Sequence, residues 1–362
     1  MTDSLVAVVS SRFEAARQLL HCPEHSRLRR WHGHGFVIRV CTAMPSDPES
    51  FPGLDVVRLK RLLDAVVAPL DYQSLNDLMD HPSDDHLARW IGDRLDGSTT
   101  QWVGLQSTPT RGVDLDHQRQ SHPWRRYHFD SAHRLPQVPA DHPCGRMHGH
   151  GFDVIVHARG ELPEVNHDRL DALWGPIHVE LHHACLNDIP GLENPTSEML
   201  ARWIWLRLQP LLPSLTWITI LETPSSGTRF DGEQYHIWKE FSLDSAVRLD
   251  RASADDRRRR IHGHTFTLRL HLSAPLDPVM GWTVDFGDIK KVFSPVFARL
   301  DHHPLYHLPD LEHSDCVGIA RWIKVHTFPL LPQLRRIDLY EGPGCGVMLH
   351  CCDSHSVRHV LP

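Results

Sequence analysis

The 362-residue chain has no apolar run approaching the roughly 20 residues that a membrane-spanning helix needs. It has no basic stretch ahead of the short apolar run Leu5 to Val9, so no signal peptide is expected. Nor is there an excess of positive charge. Lys and Arg number 38 against 45 Asp and Glu, and a net charge of −7 gives no reason to expect nucleic acid binding. Eight cysteines are too few for a disulfide scaffold and their spacings suggest no framework; Cys351 and Cys352 read as unpaired thiols. These absences point to a cytoplasmic protein with no membrane partner. A hydrophobic content of 41% and a charged content of 23% describe a globular chain long enough for two or three domains. Thirty histidines are unusual and direct attention to metal or proton-transfer chemistry.

The histidines fall into a pattern. In Pro143-Cys144-Gly145-Arg146-Met147-His148-Gly149-His150 two imidazoles sit two apart, and the segment continues with strand-like alternation through Phe152, Val154 and Val156. Residues two apart on a strand share a face, so His148 and His150 can grip one ion, with the Cys144 thiol near. The same stretch returns as Trp31-His32-Gly33-His34 and Ile261-His262-Gly263-His264. Other landmarks recur in the same order. Phe13-Glu14-Ala15-Ala16 is matched by Phe129-Asp130-Ser131-Ala132 and Leu243-Asp244-Ser245-Ala246. Leu70-Asp71-Tyr72 is matched by Leu181-His182-His183 and Leu300-Asp301-His302. Ala88-Arg89-Trp90-Ile91 returns as Ala201-Arg202-Trp203-Ile204 and Ala320-Arg321-Trp322-Ile323, and Gln106, Glu222 and Glu341 close each set. A period of roughly 115 residues is too long for a solenoid and makes each copy domain-sized. The expected units are 1–118, 119–233 and 234–362, with linkers near Asp116 to Pro123 and Gly232 to Tyr235.

The middle copy shows the plan. Arg126 to Leu135 and Met147 to Ala158 read as strands, and Asp168 to His183 as a helix interrupted near Gly175-Pro176. A second helix begins at Asn194-Pro195-Thr196-Ser197 with Asn194 as its cap and Leu200, Trp203, Ile204 and Leu208 as its apolar stripe. Thr216 to Thr223 and Thr228 to Gly232 read as strands. Strand, strand, helix, helix, strand, strand makes an α+β unit with helices on one face of an antiparallel sheet.

These residues resemble the 6-pyruvoyltetrahydropterin synthase and 6-carboxytetrahydropterin synthase family. The likeness is carried by Ser131-Ala132-His133, Cys144-Gly145-Arg146-Met147-His148-Gly149-His150, Leu181-His182-His183 with Leu186-Asn187, Asn194-Pro195-Thr196-Ser197-Glu198, and Glu222-Thr223. The Cys-Gly-Arg-x-His-Gly-His run looks more like the carboxy-type branch of the queuosine pathway. The resemblance covers the whole chain, once per unit, and only the middle copy is close to complete. It implies three ββααββ tunnelling-fold units forming a pseudo-trimeric ring around an antiparallel β-barrel, helices outside, and a homodimer of two stacked rings with active sites between units.

The resemblance also distributes the chemistry. His133 becomes the third ligand beside His148 and His150, giving one Zn2+ per chain with an open position. Arg17 and Val247 hold the matching positions and cannot bind zinc, so His32/His34 and His262/His264 are two-ligand remnants. Cys144, replaced elsewhere by Leu28 and Arg258, becomes a catalytic acid or base, and proximity to zinc favours its thiolate. The other cysteines considered (Cys22, Cys41, Cys185, Cys316 and Cys345) read as structural. The proton-relay dyad Asp-His survives whole only as Asp301-His302, which the resemblance implies would reach the zinc and Cys144 of the second unit across the unit interface, giving one composite active site per chain; His183 within the middle unit is the competing relay. Glu222 and Glu341 match the carboxylate that holds the pterin ring, with Thr196 and Ser197 adding hydrogen bonds. The run Arg257 to Arg260 is a solvated loop or meets a triphosphate. The implied activity is a zinc-dependent carbon–oxygen lyase acting on the side chain of 7,8-dihydroneopterin triphosphate or a related dihydropterin. A pterin retro-aldolase, a 6-pyruvoyl-type synthase, a non-catalytic pterin- and zinc-binding scaffold and a histidine-rich zinc store are the alternatives.

Overall fold

Strands that pair with their neighbours in chain order, the last returning to the first, close this chain into a barrel. The computed structural model describes residues 4–44, 52–95, 100–160 and 167–351. The first unit contains β1 (Ser4–Arg17), β2 (His32–Ala43), α1 (Pro52–Val67), a two-residue β3 (Gln73–Ser74), α2 (Asp84–Gly92), β4 (Thr100–Thr108) and β5 (Arg111–Leu115). The second contains β6 (Ser121–His133), β7 (His148–Ala158), α3 (His167–Leu181), α4 (Ser197–Leu208), β8 (Leu215–Thr223) and β9 (Ser226–Phe230). The third contains β10 (Tyr235–Val247), β11 (His262–Leu272), α5 (Phe286–Phe297), α6 (Cys316–Thr327), β12 (Leu334–Gly342) and β13 (Cys345–His350). The order strand, strand, helix, helix, strand, strand occurs three times. The short β3 pairs parallel with Ala15 and Ala16, and single bridges at Ala132–Cys185 and Ala246–Pro304 mark the same place in the other units.

Every other neighbouring pair is antiparallel, and β13 returns to β1 by pairing Gly346–His350 with Ser4–Val8. Twelve strands therefore close into a barrel without a free edge. Units meet at the hairpins β5–β6 and β9–β10, whose turns fall at Asp116–Gln120 and Asp231–Gln234. The first linker is shorter than the sequence suggests, since Ser121 to Pro123 already lie on β6.

Period two sorts the side chains. Phe129, Ser131 and His133 turn outward beneath the helices, where Phe129 stacks on Phe152 with ring centroids 4.9–5.1 Å apart as in the equivalent pair Phe13–Phe36. The inner face carries Arg126, Glu240, Arg269 and Arg336 around a luminal cavity of about 660 Å³. Helix α3 is continuous through Pro176 rather than interrupted there. Ala172, Gly175 and Pro176 lie on its exposed side, so the carbonyl that loses its donor meets water, while Leu170, Trp174, Ile177 and Leu181 anchor the buried side. Helix α4 is capped by Thr196, whose hydroxyl accepts the Met199 N–H at 3.2 Å; Asn194 instead donates to the Met280 carbonyl of the third unit. The Arg257–Arg259 segment is one 3-10 turn in which Arg258 pairs with Asp256.

Candidate active site and metal centre

Strand register builds the centre of the second unit. His133 ends β6 directly opposite His148, which begins β7, and Ser131 faces His150. Outward alternation brings all three imidazoles under the start of α4. Their ligand-type nitrogens lie within 4.8 Å of one another, and Nε2 of His133 is 3.2 Å from Nε2 of His150. Tetrahedral zinc with bonds near 2.0–2.1 Å requires nitrogen separations of about 3.3 Å. Each Nδ1 is held by a backbone carbonyl: His133 by Pro195 at 3.3 Å, His148 by Arg146 at 2.8 Å and His150 by Gly151 at 3.1 Å. Carbonyls accept only, so each Nδ1 carries the proton and each Nε2 offers a lone pair to the common point. The residues fit a metal of this class.

Glu222, at the end of β8, joins them. Its Oε1 is 3.4 Å from His150 Nε2 and 4.0 Å from His133 Nε2. Burial lowers the His133 pKa to about 4, against the pull of Glu222. The Glu222 hydrogen bond raises that of His150, and Glu222 itself is lowered because the imidazoles outweigh its burial. The sequence points to Glu222 as a ring ligand and gives no sign of its closeness to the histidines, because the end of β8 is distant from them in sequence.

Cys144 sits half-buried in the 3-10 turn Pro143–Gly145, with its carbonyl accepting the Leu135 N–H at 2.8 Å. Burial first, then Glu222 and Asp285, push its thiol above the ordinary range.

The dyad is intact but lies elsewhere. Asp301 Oδ2 is 2.9 Å from His302 Nδ1, and Asp301 Oδ1 accepts the Asp244 N–H. His302 is exposed, and the carboxylate raises its pKa. No hydrogen bond, ion pair or ring contact among the described residues joins Asp301 or His302 to Cys144 or to the three histidines. In the second unit His182 Nδ1 accepts the Asp130 N–H, the same role that Asp71 fills for Glu14. His183 and His302 share left-handed backbone, with φ of 60° and 57°. Asp130, His182 and His183 also bring ligand-type atoms within 4.8 Å at the surface, a cluster the repeat pattern did not suggest.

Thr196 and Ser197 are buried and already engaged. Thr196 Oγ1 donates to the Gly281 carbonyl at 2.5 Å, and Ser197 Oγ lies 2.8 Å from Thr228 Oγ1. In the third unit Glu341 lies 3.5 Å from the Cys316 thiol. The remnant pairs gain no third ligand among the described residues. Val247 faces His262, and Arg17 faces His32. Arg17 is buried, donates to Asp84 and lies 5.0 Å from the Phe36 ring centroid. Its guanidinium puts a fixed cation where the second unit offers imidazole.

The sequence matches the family model for 6-pyruvoyl tetrahydropterin synthase over residues 7–111, 123–233 and 236–350. It is 32% identical over 118 residues to the 6-carboxy-5,6,7,8-tetrahydropterin synthase of Synechocystis, covering 30% of this chain and 90% of that protein. It is 35% identical over 92 residues to the dihydroneopterin monophosphate aldolase of Pyrococcus furiosus, covering 25% of this chain and 77% of that protein. Among solved structures, Caenorhabditis elegans 6-pyruvoyl tetrahydropterin synthase aligns at 19% identity and a TM-score of 0.29, over 31% of this chain and 92% of that one. Three matched segments in one chain, each on an equivalent third of the barrel, mean that this protein belongs to the 6-pyruvoyl tetrahydropterin synthase family and carries its unit in triplicate.

Proposed function

We propose that this chain is a zinc-dependent lyase acting on the side chain of 7,8-dihydroneopterin triphosphate or a related dihydropterin, as a 6-carboxytetrahydropterin synthase does. The observation that carries the reading is the clustering of one ligand nitrogen each from His133, His148 and His150 within 4.8 Å, with every Nδ1 against a backbone carbonyl, and with Glu222 against His150 and near enough for its charge to act on the Cys144 thiol. The working units are 1–118, 119–233 and 234–362, with one site per chain in the second. His133, His148 and His150 would hold the zinc, which supplies Lewis acidity to substrate oxygens. Glu222 accepts N–H groups of the pterin ring, and Glu341 is the matching group of the third unit. Cys144 holds or moves a proton at the side-chain carbon. A raised thiol suits the protonated, donating form.

Asp301-His302 is the relay, and the exposure of His302 leaves it available to a second chain. A homodimer of stacked rings in the cytoplasm is therefore part of this proposal, and His183 inside the second unit is the competing relay. The likeness to the Pyrococcus aldolase supports a second reading, retro-aldol cleavage of a dihydropterin side chain. Product analysis after incubation with dihydroneopterin triphosphate and monophosphate separates the two. A 6-carboxy product supports the first, a 6-hydroxymethyl product the second. Turnover of neither, or turnover surviving Cys144→Ala, would sink the thiol-dependent lyase.

A further inference from the structure

The turn that carries Cys144 is capped by His142, whose Nδ1 accepts the Cys144 N–H at 3.2 Å. That bond leaves the ring proton on Nε2, and Nε2 stands 3.5 Å from Oδ2 of Asp285 in the third unit. Asp285 is the N-cap of α5, and its two oxygens serve different partners. Oδ1 accepts the Asp288 N–H at 3.0 Å while Oδ2 faces the imidazole. The Trp282 ring lies 6.0 Å from that of His142.

The segment around Asp285 is fastened to the second unit. Asn194 donates to the Met280 carbonyl at 2.7 Å, Thr196 donates to the Gly281 carbonyl, and the Thr283 N–H and hydroxyl donate to Glu198 at 2.9 and 3.1 Å. The other units lack the pair. Their turn caps are Ser26 and Asp256, and Asp256 pairs with Arg258 instead. Among the described residues, an imidazole cap facing a carboxylate of the next unit occurs only at the thiol-bearing turn.

We propose that Asp285, acting through His142, is a positioning residue for Cys144, so that the third unit completes the second unit's site within the same chain. The value of this to turnover rests on the lyase reading above; the coupling of the three groups does not. The carboxylate orients the imidazole, the imidazole fixes the turn, and the same negative charge raises the thiol pKa.

The test is alkylation of Cys144 by iodoacetamide as a function of pH, in the zinc-loaded full chain, with the Cys144 peptide quantified by mass spectrometry. Asp285→Asn and Asp285→Ser both keep a helix cap and remove the charge, so one serves if the other folds poorly. Each is expected to move the alkylation midpoint down by about half a pH unit or more, with zinc content unchanged. The shift should shrink in a His142→Asn background, which keeps the turn cap. Wild-type midpoints in both Asp285 variants, with zinc retained, would overturn the proposal. A shifted midpoint in a chain that converts no dihydropterin would sink the lyase reading and leave this one standing.

Discussion

Arg17 Nη2 donates to Asp84 Oδ1 at 2.6 Å, with both side chains buried, at the position where the second unit places a metal-binding imidazole. Asp84 also accepts from Ser107, and Arg17 donates to the Pro82 carbonyl. The first unit has thus exchanged an ion site for an internal ion pair. Burial would raise the Asp84 pKa, but Arg17 foremost, with His167 of the second unit and Arg111, holds it down to about 2.

Arg17→Ala would leave Asp84 buried without its partner. The expected cost is about 3–5 kcal/mol in urea unfolding, and removing both in Arg17→Ala with Asp84→Ala should recover much of it. A loss under 1 kcal/mol would show that the pair is no better than a surface bridge. Zinc content should not change in either variant.

Glu198 gives the fold a pH dependence of its own. It is fully buried, and burial pushes its pKa up to about 7 even though Thr283 and Ser197 donate to it. Below its ordinary value near 4.5 both folded and unfolded chains hold the proton, and nothing is lost. As pH rises from there to about 7, only the unfolded chain ionises, and stability falls by about 3 kcal/mol in total. Glu198→Gln should flatten that window, so the variant gains on wild type as pH rises. Parallel curves for the two proteins would contradict the buried acid.

Metal uptake should also depend on pH through Glu222. A ligand imidazole must be neutral, and the Glu222 hydrogen bond raises His150 above its ordinary 6.5. Protons therefore begin to compete for the site from above that pH. Glu222→Gln should move the midpoint of zinc loss to lower pH, read by equilibrium dialysis across a pH series. An unmoved midpoint would separate Glu222 from the metal centre.

The Gly281 backbone has φ of +73°, and a Cβ there would stand 2.8 Å from Asn194 Nδ2. Gly281→Ala should cost about 1 kcal/mol or more and loosen the seam between the second and third units. Faster hydrogen exchange at Thr196 and Thr283 is the readout; unchanged exchange would mean that the seam does not depend on this residue.

Much of this was legible in the sequence for one reason: strand alternation and antiparallel register are local rules. His148 and His150 share a face by period two, and the triplicate landmarks align Arg17, His133 and Val247 at one ladder position. The plan of six main elements per unit followed from the same patterns. What was missed depends on how the ring is wound. Nothing near Asp285 in sequence signals His142, and nothing near Glu198 signals Thr283. Local signals also competed. Pro176 looked like a break, yet the packing of Trp174 and Ile177 carries α3 through it. Asn194 looked like a cap, yet its amide is claimed by Met280 of the neighbouring unit, and Thr196 takes the cap. Arg17 was read as a lost ligand; only the fold shows that Asp84 has made the loss a contact.

The most direct test of a single metal centre in a triplicated chain is zinc per chain by elemental analysis, on wild type and His133→Ala. The account predicts one zinc in wild type and none in the variant, since His32/His34 and His262/His264 lack a third ligand among the described residues and, in the surface cluster of Asp130, His182 and His183, His182 Nδ1 already accepts the Asp130 N–H. Two or three zinc ions per chain, surviving the loss of His133, would contradict it.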